Sequence, residues 1–221
     1  MMKKTLRTFF YTLMLSLVIS NSYAIDAGFE YQIIKPPVPT STTEQVEVVE
    51  MFWYGCPHCF QFEPRLKKWL KSKPENVKFI RIPAVFRPSW QLHAQVYYTM
   101  EALKLIDKLH QPFFDAIHKK RLRLNTRKSI KNFFAENGVN NAIFEKTFDS
   151  FIVKSKVQQA VRLSRAYGIS GVPSMIVNGK FRTDAKTSSI NDARGPSHAN
   201  MMKVTDTLIK QESAKLTAKK K

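Results

Sequence analysis

Between residues 45 and 82, apolar residues form two strand-like runs on either side of a helical pattern. Residues 45–54 are a β-branched and aromatic run, which is typical of a buried strand. Residues 57–72 place apolar side chains at helical spacing, and residues 77–82 alternate as a second strand. A strand, a helix and a strand in this order predict a parallel strand pair joined by a crossover helix.

The pattern then changes to helical spacing over a long stretch, in which asparagine, threonine and glycine mark the expected helix ends. We predict five helices there, at residues 89–106, 110–121, 126–137, 140–151 and 153–167. Such a stretch is too long for a simple crossover connection between strands. We therefore interpret residues 89–168 as an inserted, all-helical subdomain.

Strand patterns return near the C-terminus. Residues 174–177 and 180–183 flank an Asn-Gly pair, which is a strong signal for a tight β-hairpin. A last helix is predicted over residues 198–212, followed by a solvated, frayed lysine-rich tail, and a short strand is expected at residues 31–34. The predicted fold class is α/β.

The N-terminus has the pattern of an export signal. Basic residues precede an apolar run at residues 9–19, and Ser22 and Ala24 supply the small side chains that a signal peptidase requires. The apolar run is shorter than the about 20 residues needed to span a bilayer as a helix. We predict that residues 1–24 are a cleaved signal peptide; a retained membrane anchor is the alternative.

Composition narrows the possible classes of protein. The chain has 221 residues, of which 43% are hydrophobic, so it can bury a core and is neither disordered nor collagen-like. Two cysteines are too few for a disulfide-rich scaffold. The formal net charge of +19 leaves a polyanion binder as one hypothesis. Because no base-reading or stacking motif accompanies this charge and the protein is exported, we expect no nucleic-acid partner.

Both cysteines lie in one short motif, Cys56-Pro57-His58-Cys59, between a predicted strand and the start of a helix. We expect Cys56 to be exposed at the helix end, where unpaired N–H groups and the helix dipole favour its thiolate. His58 can add a positive charge or a hydrogen-bond donor. Cys59 lies one turn inward, where it would be shielded and suited to a resolving thiol.

Other uses of a C-x-x-C pair fit the sequence less well. A zinc site needs two further ligands, and the remaining histidines are scattered singly. A covalent haem needs histidine directly after the second cysteine, where this chain has Phe60. A purely structural disulfide stays possible, although closing so short a loop stabilises little. A redox-active dithiol with no metal and no cofactor is the preferred interpretation.

Residues 56–63, Cys-Pro-His-Cys-Phe-Gln-Phe-Glu, resemble the active site of the DsbA family of periplasmic thiol oxidases. Residues 171–180, Gly-Val-Pro-Ser-Met-Ile-Val-Asn-Gly-Lys, resemble the same family. The resemblance covers essentially the whole mature chain and implies a thioredoxin-like fold with an inserted helical subdomain. We expect a signal peptide at residues 1–24 and the first part of the thioredoxin-like domain at residues 25–88. The helical insertion follows at residues 89–168, and the second part of the thioredoxin-like domain at residues 169–221.

The resemblance also implies roles for four further residues. Pro173 matches a cis-proline that faces the disulfide, and Val172 matches the residue whose backbone pairs with a bound peptide. A proline that merely begins a strand is the alternative. Glu50 matches an acidic residue beneath the disulfide, with Arg81 in the place of its basic partner. This pair is either a proton relay for Cys59 or a satisfied core ion pair.

Other polar residues are given a structural interpretation. Four histidines lie singly on predicted helices and are expected at the surface or in helix packing: His93, His110, His118 and His198. The excess of lysine and arginine is interpreted mainly as a solvated face, which could also steer acidic substrates or contact anionic headgroups.

The resemblance implies an enzyme, a thiol:disulfide oxidoreductase that donates the Cys56–Cys59 disulfide to folding exported proteins through a mixed disulfide on Cys56. It also implies a periplasmic location, a quinone-linked membrane reoxidant of the DsbB type, and a monomer. An isomerase or reductase of the same fold is the alternative, although residues 25–43 are too short for the dimerisation domain of such isomerases. A non-catalytic, chaperone-like binding protein is a second alternative.

Overall fold

The computed structural model describes residues 25–219, so the predicted signal peptide lies outside the described residues. This part of the chain has five strands: β1 (Gln32–Ile33), β2 (Val46–Phe52), β3 (Val77–Pro83), β4 (Ser174–Val177) and β5 (Phe181–Asp184). It has seven α-helices: α1 (Pro57–Ser72), α2 (Pro88–Ala102), α3 (Ile106–His118), α4 (Arg127–Glu136), α5 (Asn141–Phe148), α6 (Phe151–Ala166) and α7 (His198–Lys219). None of these helices is both long and apolar enough to cross a membrane.

The strands form one mixed sheet in the order β1-β5-β4-β2-β3. Strands β2 and β3 are parallel and are joined by α1, as the strand–helix–strand pattern predicts, and the other neighbours are antiparallel. Every residue of β2 is buried, because this strand has neighbours on both edges and helices on both faces. Within the sheet, Glu50 of β2 is in register with Arg81 of β3.

Two hydrophobic clusters cover the two faces of the sheet. Helices α1 and α7 pack on one face through side chains that include Phe62 and Leu208. The other face is covered by α2–α6, whose aromatic residues, including Phe113 and Phe134, join the same cluster as Val49 and Met51 of β2. The helical stretch is therefore packed directly on the sheet whose strand β2 leads into the two cysteines.

The predicted β-hairpin is confirmed. Asn178 and Gly179 have φ values of 55° and 62°, and two consecutive positive φ values match the tight turn whose twist suits a hairpin. A Cβ atom at Gly179 would lie 1.9 Å from the backbone oxygen of Val38. Only glycine fits this turn, because the N-terminal segment crosses it at close range and Val38 N–H donates to the Gly179 carbonyl.

The boundary between the first two helices of the helical stretch differs from the prediction. The first helix ends at Ala102 instead of residue 106, and the second begins at Ile106 instead of residue 110. Lys104 has φ 57° and reverses the chain in the left-handed region, without the glycine that usually marks such a turn. Pro112 lies inside the second helix.

The C-terminal helix is longer than predicted, since it runs to Lys219 instead of residue 212. Its last turns pack against the hairpin: the buried carboxylate of Glu212 accepts hydrogen bonds from Asn178 and from Lys180, at 2.9 and 2.6 Å. Leu216 packs on the same apolar cluster. The prediction of a frayed tail is therefore wrong for the described residues of this segment.

Candidate active site

The Cys-Pro-His-Cys motif lies between the end of β2 and the start of α1. Cys56 is the N-cap of α1 and has extended backbone angles, and Pro57 occupies the first helical position, where no N–H is needed. Gly55 makes the turn possible, because a Cβ atom there would lie 2.4 Å from the Trp53 ring. The buried strand and the helix start thus hold both sulfurs at the sheet edge.

Cys56 is more buried than we expected. Its residue is 8% exposed, because the loop before β4 covers the sulfur, and its thiol donates to the Val172 carbonyl at 3.3 Å. Its neighbours Pro57 and His58 are exposed. The pKa of Cys56 is lowered to about 6, first by a hydrogen bond from the Cys59 thiol, which outweighs burial, and then by backbone N–H groups and the charge of His58.

Cys59 has the opposite electrostatic surroundings. It is fully buried, and burial raises the pKa of its thiol well above the ordinary value, with the neighbouring Cys56 and the charge of Glu50 acting in the same direction. Both cysteines are free thiols in this structure, which therefore describes the dithiol form. A protein in this state has one acidic sulfur near the surface and one protonated sulfur behind it.

The loop before β4 brings a distant part of the chain onto Cys56. The Val172–Pro173 peptide bond is cis, and the Val172 carbonyl that accepts from Cys56 is 116 residues away in sequence. Pro173 is buried, whereas Val172 is half-buried. The backbone of this loop therefore runs beside the reactive sulfur, where an extended peptide could pair with it.

Three charged side chains form a buried cluster beneath the cysteines. Arg81 donates to Glu50 at 2.8 Å through Nε and to both carboxylate oxygens of Glu63 at about 2.9–3.0 Å through one terminal nitrogen. Burial raises the pKa of Glu50 to about 7, although the positive charge of Arg81 acts to lower it. Oxygen Oε1 of Glu50 is buried and has no hydrogen-bond partner among the described residues. Glu50 can therefore gain or lose a proton near neutral pH.

A histidine and a tyrosine extend this cluster towards the helical stretch. His110 of α3 lies 3.3 Å from the Glu63 carboxylate through Nε2 and 2.8 Å from the Tyr54 hydroxyl through Nδ1. Burial lowers the pKa of His110, which favours the neutral ring. A neutral ring satisfies both contacts when Nε2–H donates to Glu63 and Nδ1 accepts from Tyr54. His110, Glu63 and Arg81 thus connect α3 to Glu50.

His110 and His118 are packing residues, as interpreted, but the sequence did not indicate that they pack against the active-site turn. His118 Nε2 lies 2.8 Å from the Tyr54 carbonyl, and its ring stacks on Phe60, so both histidines contact the active-site turn. Glu63 was also missed, although its place one turn after Cys59, between apolar positions, is a signal for an inward-facing carboxylate. No comparable local signal exists for His110, because only the packing of α3 brings it to this site.

Comparison with known proteins agrees with this geometry. Residues 80–189 match the family model of the DSBA-like thioredoxin domain. The thiol:disulfide interchange protein DsbA of Azotobacter vinelandii is 44% identical over 188 residues, which cover 85% of each chain. The protein of the same name from Pseudomonas aeruginosa is 41% identical over 188 residues, 85% of this chain and 86% of that one. This chain belongs to the DsbA family.

Solved DsbA structures have the same architecture. The crystal structure of Pseudomonas aeruginosa DsbA superposes with a TM-score of 0.79 at 40% identity, over 89% of this chain and 97% of that chain. The oxidoreductase DsbA from Xylella fastidiosa gives a TM-score of 0.75 at 28% identity, over 84% and 96%. The protein is a DsbA-like thiol:disulfide oxidoreductase, and its α/β, thioredoxin-like fold is as predicted.

Proposed function

We propose that this DsbA-family protein donates a Cys56–Cys59 disulfide to exported proteins while they fold. The observation that supports this most directly is the asymmetry of the two sulfurs. Cys56 has a pKa of about 6 and lies beside the backbone of a cis-proline loop, whereas Cys59 is fully buried and its pKa is raised. A stabilised Cys56 thiolate makes the disulfide reactive and oxidising.

The exchange proceeds in two displacement steps. A substrate thiolate attacks Sγ of Cys56, the S–S bond breaks, and Cys59 leaves as a thiolate that takes up a proton. A second substrate thiolate then attacks the substrate sulfur of the mixed disulfide and displaces Cys56 as a thiolate. The substrate loses two electrons and forms its disulfide, and the protein gains them and becomes the dithiol.

Glu50 is proposed as the group that exchanges the Cys59 proton. Its pKa of about 7 and its unpartnered Oε1 atom support this role, and the negative charge of Glu50 is among the causes of the raised Cys59 pKa. Arg81 is the positioning residue, because its guanidinium holds Glu50 at 2.8 Å. His58, Pro57 and the Val172–Pro173 loop are proposed to set the acidity of Cys56 and to bind the substrate backbone.

The remaining parts of the proposal concern the setting of the reaction. We infer export by the signal peptide at residues 1–24, a periplasmic location, and a monomer in which the helical stretch at residues 89–168 interrupts the thioredoxin-like domain. Reoxidation of the dithiol requires an electron acceptor, for which a quinone-linked membrane protein of the DsbB type is proposed.

The test is to mix the oxidised protein with a reduced two-cysteine peptide and to identify the products by mass spectrometry after an acid quench. The proposal expects a transient adduct on Cys56 and then an oxidised peptide, with no transfer by Cys56→Ser. Pro173→Thr should lengthen the life of the adduct on non-reducing gels. An adduct on Cys59 alone would overturn the mechanism, and a reduction potential of about −270 mV, as in thioredoxin, would overturn the oxidase direction.

A further inference from the structure

The segment directly after α3 carries an unusual density of positive charge. We call residues 119–123, Lys-Lys-Arg-Leu-Arg, the basic segment; four of its five residues are cationic, and all five are exposed. Lys119 pairs with Asp115 at 3.0 Å. Among residues 25–219, no carboxylate lies within 4.0 Å of the charged groups of Lys120, Arg121 or Arg123. The segment therefore presents charge that the described protein does not neutralise.

The basic segment is fixed to the active-site turn. His118, the last residue of α3, is bonded through Nε2 to the Tyr54 carbonyl at 2.8 Å, and its ring stacks on Phe60 with centroids 4.9 Å apart. The Lys119 ammonium lies 5.8 Å from the centre of the same Phe60 ring. Phe60 directly follows Cys59 in the first turn of α1. Because His118 stacks on Phe60, the basic segment begins one residue after a contact with this turn.

The backbone of the segment is ordered by specific hydrogen bonds. Lys120 N–H donates to the Asp115 carbonyl at 3.0 Å, and Leu122 N–H donates to the Ala116 carbonyl at 2.9 Å. Between these bonds Arg121 adopts φ 55°, so the chain reverses as it leaves α3. The charges are consequently held at a defined place, which lowers the entropy that a partner must overcome to bind them.

An exposed apolar side chain lies among these charges. Leu122 is 45% exposed and is flanked on both sides by arginine. Peripheral membrane segments usually insert several aromatic or aliphatic residues, whereas this segment offers one leucine and is not helical. One apolar contact among ordered cations is better matched to a short stretch of polypeptide that is itself acidic.

We propose that the basic segment binds acidic residues close to the cysteines of polypeptide substrates. This inference rests on the proposed function, since it concerns which thiol substrates reach Cys56 fastest. Attraction between the segment and an acidic flank raises the rate of encounter and aligns the substrate beside the active-site turn. Salt weakens the effect, because the charges are exposed to solvent.

The test compares two reduced two-cysteine peptides that differ only in three flanking residues, aspartates in one and asparagines in the other. Second-order rate constants for their oxidation by the full protein are measured at low and at high salt. The acidic peptide is expected to react about tenfold faster at low salt, with the ratio falling towards one at high salt. Equal rates at low salt would overturn the proposal, whereas no reaction with either peptide would overturn the proposed function.

The charge is then removed from the segment with Lys120→Gln, Arg121→Gly and Arg123→Gln combined. Glycine at position 121 suits the left-handed backbone, so this change does not strain the turn. The rate ratio of the two peptides is expected to fall at least threefold. The control is Lys104→Gly, which removes one charge, against three in the triple variant, at another left-handed residue (φ 57°) that lies before α3, about 20 Å away along that helix.

Two outcomes would count against the basic segment. If Lys104→Gly lowered the ratio as much as the triple variant does, the net charge of the whole chain would explain the preference. If the triple variant kept the peptide preference but lost binding to vesicles that contain phosphatidylglycerol, the surface would serve a membrane instead. We expect Lys104→Gly to keep the wild-type rate ratio and the triple variant to lose it.

Discussion

The two cysteines lie three residues apart in one helical turn, yet their surroundings act on them in opposite ways. Around Cys56, hydrogen-bond donors outweigh burial, and the pKa falls to about 6. Around Cys59, burial dominates and the nearest carboxylate adds to it, so the pKa rises. Burial and the hydrogen bond between the two thiols therefore give opposite acidities to two sulfurs in the same helical turn.

The two thiols are also coupled to each other. The hydrogen bond from the Cys59 thiol is the largest cause of the low Cys56 pKa, and the same bond raises the pKa of Cys59. The first sulfur to lose its proton thereby makes the second keep its own. This arrangement gives a good leaving group at the surface and a thiol that reacts only after its proton is removed.

The largest expected difference is between the reactivities of the two cysteines, each measured with the other cysteine replaced by serine. In Cys59→Ser the remaining Cys56 should react with iodoacetamide at pH 7 at least about 100-fold faster than Cys59 does in Cys56→Ser. The reason is that one thiol is mostly ionised and the other is protonated and covered. Rates are read by mass spectrometry, with the urea-unfolded variants as controls for intrinsic reactivity. Rates within threefold of each other in the folded proteins would refute the asymmetry.

The charged cluster can be disrupted through its only described arginine. Arg81→Met leaves Glu50 and Glu63 without their cation and should lower the free energy of unfolding by about 3–5 kcal/mol at pH 8. The loss should be smaller at pH 5, where Glu50 is protonated and needs no counter-charge. Urea unfolding of Lys78→Met, a partly exposed site on the same strand, is the control. A loss below 1 kcal/mol at pH 8 would show that the ion pairs stabilise little.

His110 can be tested against a histidine of similar burial. His110→Phe keeps an aromatic ring but removes the imidazole nitrogens that Tyr54 and Glu63 contact, so it should lower the free energy of unfolding by about 1–3 kcal/mol. His93 is also buried and contacts a backbone carbonyl, but it makes no hydrogen bond to the cluster, which makes His93→Phe the control.

Both variants should be less stable, and only His110→Phe should change the pH profile of disulfide exchange. Without the hydrogen bond from the neutral His110 ring, Glu63 depends on Arg81 alone and competes more strongly with Glu50 for that cation, so the transition governed by Glu50 should move upward from about pH 7. Profiles that coincide for the two variants would assign His110 to packing alone.

The depressed pKa of Cys56 makes the reduced form more stable as the pH rises. Its unfolded pKa is about 8.5 and its folded pKa about 6, so this contribution is complete above the first value and is lost as the pH falls through the second. Cys59 acts oppositely, because its raised pKa disfavours the reduced fold once the pH exceeds about 8.5.

Between pH 5 and pH 8, the unfolding free energy of the reduced form should gain roughly 1–2 kcal/mol relative to the oxidised form, since solvent near Cys56 screens part of the full effect. The oxidised protein is the internal control, because its cysteines do not titrate while all other groups do. Parallel stability curves for the two forms would mean that the Cys56 thiolate has no special stabilisation in the folded protein.

The smallest expected effect separates two contributions to the acidity of Cys56. His58→Ser should raise the Cys56 pKa by less than about one unit, because the charge of His58 is the weakest of the named causes. Cys59→Ala should raise it further, since it removes the main donor. Ultraviolet titration of the thiolate measures both, with Cys59→Ser, which keeps a donor, as the matched comparison. A larger shift for His58→Ser would reverse this order.

Local patterns determined much of the architecture before any contact was known. The β-branched run before the Cys-Pro-His-Cys motif and the helical spacing after it predicted β2, α1 and β3, because these elements form from side chains that are neighbours in sequence. Asn178-Gly179 predicted the hairpin for the same reason. Thr126 and Asn140 cap α4 and α5, as their side-chain oxygens allow.

Tertiary packing decided what lies around the two sulfurs. The carbonyl that contacts Cys56 is 116 residues away in sequence. His110, one partner of Glu63, lies on α3, which reaches the site only because its apolar face packs on the sheet. The boundary between α2 and α3 was predicted at the wrong residues for a similar reason. Lys104 adopts the left-handed conformation that turns the chain there, and no glycine marks the turn in the sequence. Burial, desolvation and the hydrogen bonds between distant residues set the pKa values, and these quantities exist only once the chain has folded.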